Sequence, residues 1–373
     1  MERFSLKTNP FQHGSTGAKV FVAKSDDPYK NTRDVLGEID LSPANGKRVL
    51  LKPNAGRNAS PDSGVVTNPH VIAAAVDAFL AQGAEVAVGE SPIWGVDVLE
   101  AFDSIGITDA LKNKRCSLID MNIRPFVEVS VPEGKAVQSL KLCPEILEYD
   151  IIVSLPVMKM HMHTGVTLSI KNMKGCLWRR SKVDLHMLPH IDGIDEKAIN
   201  IAVADLSGIL KPHLSIIDGT VGMEGLGPSA GKPKKLGLVA ASLDAFAADA
   251  VACRLMGVDA KNIPHLEMGA DRGYGSIDLN DIKVSPDNWE EWTSPFMLPP
   301  DNLSIVFPNV NILDRSSCSA CQSTLLLFLQ AYGKKLFGKS PSQETVSMAI
   351  GKGHDTVPEG TICIGNCTIA HKD

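Results

Sequence analysis

Two sets of residues in this chain have the types and spacing for chemistry. The first is sulfur. Of the 8 cysteines, four form two close pairs near the C-terminus, Cys318-Ser319-Ala320-Cys321 and Cys363-Ile364-Gly365-Asn366-Cys367. A CxxC turn lets two thiolates face one ion, and the positive end of a following helix favours the thiolate. Four thiolates meet the ligand count of tetrahedral zinc or of a 4Fe–4S cluster. The flanks (Ile362, Ile364, Leu325, Leu326, Leu327) are apolar, which suits a cluster shielded from water. A 4Fe–4S cluster on Cys318, Cys321, Cys363 and Cys367 is therefore the expected cofactor and zinc the alternative; the plainer reading is a redox pair or unrelated thiols. Cys116 and Cys253 lie in apolar patterns and read as core, Cys143 precedes Pro144, and Cys176 ends a cationic run.

That run is the second set. Residues 158–176 hold Lys159, His161, His163, Lys171, Asn172, Lys174 and Cys176, immediately after a buried strand. Lys52-Pro53-Asn54 with Arg57, then Glu90, then Asp218 and Glu224, follow other strand-like runs. In an open parallel sheet, ligands bind beyond the carboxyl ends of the strands. Cations, amides and glycines gathered there suit a phosphate or carboxylate. Acids beside them permit general acid–base work. The expected catalytic residues are Lys52, Glu90, His161 and Lys171. Asn54, Lys159, His163, Asn172, Lys174 and Asp218 are expected to bind substrate. Any one of these residues, taken alone, reads equally as loop polarity. His161 and His163, two apart, share a face of an extended chain. A metal there would need a further ligand such as Asp184, Asp192 or Glu224. His186 and His190 flank Pro189, which argues against a regular helix between them. No loop matches a Walker A or Rossmann fingerprint; 222–227 is only loosely glycine-rich.

The elements that must position these residues alternate. Lys19–Ala23, Arg48–Leu51, Ala84–Val88, Cys116–Asp120, Tyr149–Leu155, Leu214–Ile217 and Leu236–Ala240 read as strands. Val71–Leu80, opened by Asn68-Pro69, together with 96–113, 196–210, Asp244–Met256 and Ser323–Leu336, read as helices. Residues 125–142 read as a hairpin, and the stretch after Pro156 as a long polar loop. The expected fold is α/β, an open, mostly parallel sheet flanked by helices, over residues 1–285. A Pro-rich connection and cysteine-bearing segment would occupy 286–373.

Composition limits the function classes. The hydrophobic fraction is 44% and the charged fraction 21%, as in a globular protein. The net charge of −6 argues against a nucleic-acid binder. No run reaches 18 apolar residues, and the first ten residues carry no apolar signal region. Both point to a cytoplasmic protein with reduced thiols and no membrane partner.

Beyond these readings, residues 153–161 (Val-Ser-Leu-Pro-Val-Met-Lys-Met-His) and 164–175 (Thr-Gly-Val-Thr-Leu-Ser-Ile-Lys-Asn-Met-Lys-Gly) form a pattern with Leu51-Lys52-Pro53-Asn54, Val66-Thr67-Asn68-Pro69, Gly89-Glu90-Ser91 and Ile217-Asp218-Gly219. It resembles the family called "domain of unknown function 362" over roughly residues 18–283, with the terminal cysteines as an extension. The resemblance implies an iron–sulfur association of anaerobic prokaryotes but no reaction. The chain departs from members with an eight-cysteine ferredoxin insert, so a two-cluster electron wire is not expected. The combined expectation is a redox-linked iron–sulfur protein, an oxidoreductase or an iron–sulfur-dependent enzyme, with an anionic small-molecule substrate and an electron-transfer protein as partner. The alternatives are a non-redox α/β enzyme or ligand-binding protein with structural zinc, or an interaction module using 286–308.

Overall fold

The computed structural model describes residues 6–11, 17–299, 307, 309–333, 335, 345–365, 367 and 368. The chain opens with β1 (Ala18–Lys24), α1 (Pro28–Gly37) and β2 (Arg48–Pro53). Next come α2 (Pro69–Ala81), β3 (Glu85–Glu90), α3 (Val98–Ile105), α4 (Ile107–Leu111) and β4 (Cys116–Asp120). Asn68 caps α2 by accepting from the His70 N–H, and Pro69 fills the first turn, where its missing N–H is not needed. The helical stretch expected over 96–113 is divided at Gly106, whose φ of +89° ends one helix and starts the other.

The hairpin β5 (Val127–Ser130) and β6 (Ser139–Leu142) is antiparallel, and α5 (Glu145–Glu148) leads into β7 (Ile151–Leu155). The following stretch is not the expected polar loop. It forms β8 (Val157–His161), β9 (Gly165–Thr167) and the short helix α6 (Ser169–Asn172), and nearly all of it is buried. Strand periodicity explains this. Met158 and Met160 enter the apolar core, while Lys159 and His161 alternate onto the other side.

The chain continues through α7 (Ser181–Asp184), α8 (Ala198–Ser207), β10 (Leu214–Glu224), β11 (Lys232–Ser242), α9 (Ala245–Leu255), α10 (Pro264–Asp271) and β12 (Ile282–Ser285). The large sheet runs β12-β1-β11-β10-β7-β2-β3-β4, with β8 on β10 and β9 on β8. From β10 to β4 the ladder is parallel; β11 is antiparallel to both neighbours. Leu50 belongs to one core and Val49 and Leu51 to the other, so the sheet is covered on both faces. Such burial explains the continuous apolar runs of β2 and β7.

β10 is longer than expected. It continues through Asp218 and, past a bulge between Gly219 and Val221, to Glu224. Because β11 is antiparallel, its Ser242 end pairs near Ser215. The register places Ser242 level with Ser154 and Lys52, and the chain leaves β11 there in the direction of the amino ends of β2 and β7.

Residues after β12 fold back onto this body. Trp289 and Phe296 are buried, and the Ser294 and Phe296 N–H groups donate to the Leu255 and Met256 carbonyls. A separate parallel sheet follows, β13 (Val310–Asp314), β14 (Val346–Ile350) and β15 (Ile362–Ile364), with α11 (Ser319–Phe328) between the first two strands. Its small core holds Val310, Leu325, Leu329, Met348 and Ile350. The helix begins at Ser319, earlier than the expected Ser323, so the CxxC opens it. Residues 334 and 336 of the expected helix, and 300–306 and 308 of the Pro-rich stretch, lie outside the described residues.

Candidate functional site

The carboxyl ends of β2, β3 and β7 meet one buried ion pair. Lys52 Nζ lies 2.8 Å from Glu90 Oε2, with side chains 1% and 3% exposed. Lys52 also donates to the Pro53 carbonyl at 2.7 Å and to Asn172 Oδ1 at 3.3 Å. Glu90 is held by the Ser91 and Ala55 N–H groups at 2.9 and 3.1 Å. A buried charge persists only when paired and hydrogen-bonded in this way. Gly175 makes room for the pair, since a Cβ there would overlap Lys52 Cε and lie 2.8 Å from Glu90 Oε1.

Asn172 stitches α6 to the strand ends. Its amide donates to the Lys52 carbonyl and to Ser154 Oγ, each at 3.0 Å. The Asp249 carboxylate of α9 caps the same helix, accepting from the Ser169 and Ile170 N–H groups at 2.7 and 2.9 Å. Burial pushes that carboxyl up to about 8, and the two N–H bonds oppose the shift. Lys171 is thereby fixed with its amine in the cavity. Burial brings it down to about 7, and no protein hydrogen bond or ion pair engages its ammonium among the described residues.

The cavity, of about 610 Å³, is lined by Lys52, Arg57, Lys159, Lys171, Lys174, Arg179 and Lys182, against Glu90 as the one carboxylate among its described walls. Lys159 donates to Asn54 Oδ1 at 2.9 Å and to the Val65 carbonyl at 2.7 Å. Burial, then Lys171 and Arg57, hold it well below its ordinary value. His161 accepts at Nδ1 from the His163 N–H at 3.1 Å. Burial and Lys171 keep it neutral, and burial brings His163 down to about 3. The His163 ring is 5.6 Å from that of His161 and 6.2 Å from that of His186. Lys174 Nζ contacts His186 Nε2. Surrounded by lysines and with one nitrogen already used, these rings suit an anion better than a metal cation.

The structure thus gathers Lys52, Asn54, Glu90, Lys159, His161, His163, Lys171, Asn172 and Lys174 around one space. Asp218 is not among them. Its buried carboxylate accepts from the Asn68 N–H at 2.7 Å and the Thr220 N–H at 2.8 Å, tying the start of α2 to β10. Glu224 is also elsewhere, accepting from the Met297 N–H at 3.0 Å. Lys182, which contacts Ser91 Oγ, Asp249 and Trp94 carry no sequence signal as site residues; only their long-range neighbours reveal them.

The model of the family described as "Domain of unknown function (DUF362)" matches residues 49–254. The chain belongs to this family. All the cavity residues named above lie inside the DUF362 match, and the cysteine pairs lie outside it. A protein of Synechocystis sp. named "Thylakoid-associated protein sll1697" is 30% identical over 223 residues, which is 59% of this chain and 66% of that protein. The apoprotein of the lactate racemase from Thermoanaerobacterium thermosaccharolyticum gives a TM-score of 0.41 at 15% identity, over 68% of this chain and 60% of the racemase. This DUF362 chain thus matches less than two thirds of the length of either, 66% of the first and 60% of the second. No described helix is long and apolar enough to cross a membrane.

The cysteine-bearing end of the DUF362 protein abuts the cavity. Cys318 immediately precedes α11 and Cys321 sits in its first turn, with the Cys318 and Cys367 thiols beside that of Cys321. Burial, and then these neighbours, push the Cys321 thiol up to about 12. Cys363 is carried by β15. A Cβ on Gly365 would come within 2.7 Å of Cys321 Sγ. Among the described residues, no three His, Cys, Asp or Glu side chains are closed into a metal-holding group. The expected burial of the four thiols is also not found: Cys318, Cys321 and Cys363 are half-buried and Cys367 is exposed. A second cavity, of about 770 Å³, is lined by Cys318, Cys321 and Cys367 on one side and by residues 186–190 and 195–199 on the other. The two cavities share His186 and Thr324 as walls.

Proposed function

We propose that this protein binds an anionic small molecule at the carboxyl ends of β2, β3, β7 and β8, and that Lys171 moves a proton to or from it. The excess of buried cations over the single Glu90 carboxylate carries this reading. Lys52 is neutralised by Glu90. Lys159, Lys171, Lys174 and Arg57 have no carboxylate partner at hydrogen-bond distance among the described residues, and a bound anion would supply the missing charge. Lys159 and Arg57 then bind, Asn54 and Asn172 orient, and Lys171, poised near neutrality, accepts or returns the proton. Calorimetric titration with sulfate tests this. The wild type should bind, and Lys159→Met and Lys171→Met should each weaken binding about tenfold or more. No heat in the wild type would end the reading.

Beside that site, Cys318, Cys321, Cys363 and Cys367 fit a 4Fe–4S cluster as a donor set. The Cys318 and Cys367 thiols stand beside that of Cys321 at the head of α11, Cys363 is carried by β15, and Gly365 leaves the space in front of Cys321 open. Such a cluster supplies one-electron transfer. The exposed Cys367 edge is then where an electron-transfer protein would dock, in a reducing cytoplasm. The same exposure favours the second reading, a structural zinc, because zinc needs less shielding. Anaerobic purification with iron, sulfide and zinc assays separates the two.

A further inference from the structure

The cavity has two chemically distinct zones. Its inner wall is cationic, built from Lys159, Lys171 and Arg57. Its mouth carries Ile93, Trp94 and Leu327, which are 36%, 64% and 48% exposed. None of the three belongs to an apolar core of the protein. Trp94 lies in the loop that follows Glu90, the last residue of β3, so the acid of the ion pair and the exposed ring are four residues apart. The Arg180 guanidinium lies 5.8 Å from the Trp94 ring centroid. Leu327 reaches the mouth from α11, the helix that carries Cys321. Exposed apolar residues scattered over a surface need no account, but three at the rim of one cationic cavity point to a ligand.

We propose that the ligand is an amphiphilic anion: a carboxylate or phosphate head on the inner lysines, joined to a ring-sized apolar body against Trp94, Ile93 and Leu327. This rests on the anion-binding reading and names its substrate class. The head finds charge where burial has stripped water from the lysines. The body covers Trp94 and Leu327, which otherwise face solvent, and each apolar area covered adds affinity that a bare anion does not gain. Trp94 offers a flat face for a ring, with Arg180 near it to hold the indole in place.

The test is calorimetry on the full chain, prepared without oxygen, with phenyl phosphate against methyl phosphate and benzoate against acetate. Each aryl anion should bind about tenfold tighter than its small partner. The two pairs together show whether the head is phosphate or carboxylate. Trp94→Ala should bring the ratio to within about twofold, and Trp94→Phe should keep most of the ratio. Trp94 is exposed and outside the cores, so the variants should fold. Equal affinities within both pairs in the wild type, or a ratio that survives Trp94→Ala, would overturn the inference while leaving the anion site standing. Failure of all four anions to bind would overturn the site and the inference together.

Discussion

The side chain of Gln322 stands beside the ring of His163 and opposes the downward shift that burial imposes on it. Gln322 follows Cys321 directly, and His163 lines the basic cavity, so this contact, with Thr324 and Leu327 of the same helix, joins the thiol-bearing helix to the anion site. The Gln322 amide also donates to Asp314 and Ser317 at 2.9 and 3.0 Å, fixing the turn from β13 into α11. Gln322→Leu should cost about 1 kcal/mol in urea unfolding, the net worth of a hydrogen bond. It should weaken sulfate binding while metal content stays at the wild-type level. Loss of metal in this variant would mean that Gln322 serves the thiols rather than His163.

The Lys52–Glu90 pair predicts a particular pattern of instability. Removing one partner leaves a bare charge in a buried site, so Glu90→Gln or Lys52→Met alone should each destabilise by about 3–5 kcal/mol. The double variant should cost less than the sum. Gly175→Ala, whose added methyl would strike Lys52 Cε, should resemble the single variants. Urea midpoints for the cycle check this; strictly additive losses would show that the two side chains do not act as a pair.

Asp249 gives a signed pH effect. Its folded-state value, about 8, lies above that of an unfolded aspartate, about 3.9. The stability it contributes is therefore fully present below about pH 3.9 and is lost as pH rises through about 8. Wild-type stability should fall between about pH 4 and about pH 8 relative to Asp249→Asn, whose curve should be flatter. Parallel curves in urea titrations would contradict the burial argument.

The thiols predict a metal-dependent segment. Wild-type protein prepared without oxygen should hold about four irons and four sulfides per chain, and Cys363→Ser should lose most of them. One zinc and no sulfide would instead favour the structural alternative. In either case the α/β body should keep its far-ultraviolet circular dichroism, because its apolar clusters are separate from the small C-terminal core.

Much of the fold is legible in the sequence. β4 falls on Cys116–Asp120 as read, and α2 starts after Asn68 because the cap and Pro69 are local signals. β8 and the continuation of β10 are not legible in the same way. In β8 the buried polar side, Lys159 and His161, looks like a solvated loop until Glu90, Asn54 and Asn172 are seen to converge there. In β10, Asp218-Gly219 looks like a turn, while the structure uses Asp218 to hold an N–H 150 residues away. Most of the candidate site was readable because lysines and histidines cluster in one short run. Lys182 and Asp249 were not, since their contacts run through Ser91 and the start of α6.

The central claim is that a buried, nearly neutral Lys171 meets an anion. Sulfate does not titrate near neutrality, so it isolates the protein's own protons. Titrations at about pH 8, in two buffers of different ionisation enthalpy, should show uptake of up to about one proton per sulfate bound, because the anion restores the charge of Lys171 and its neighbours. Affinity should fall as pH rises further above about 7, and Lys171→Met should remove most of the uptake. Sulfate binding with no proton uptake in the wild type, or uptake undiminished in Lys171→Met, would contradict the assignment of Lys171.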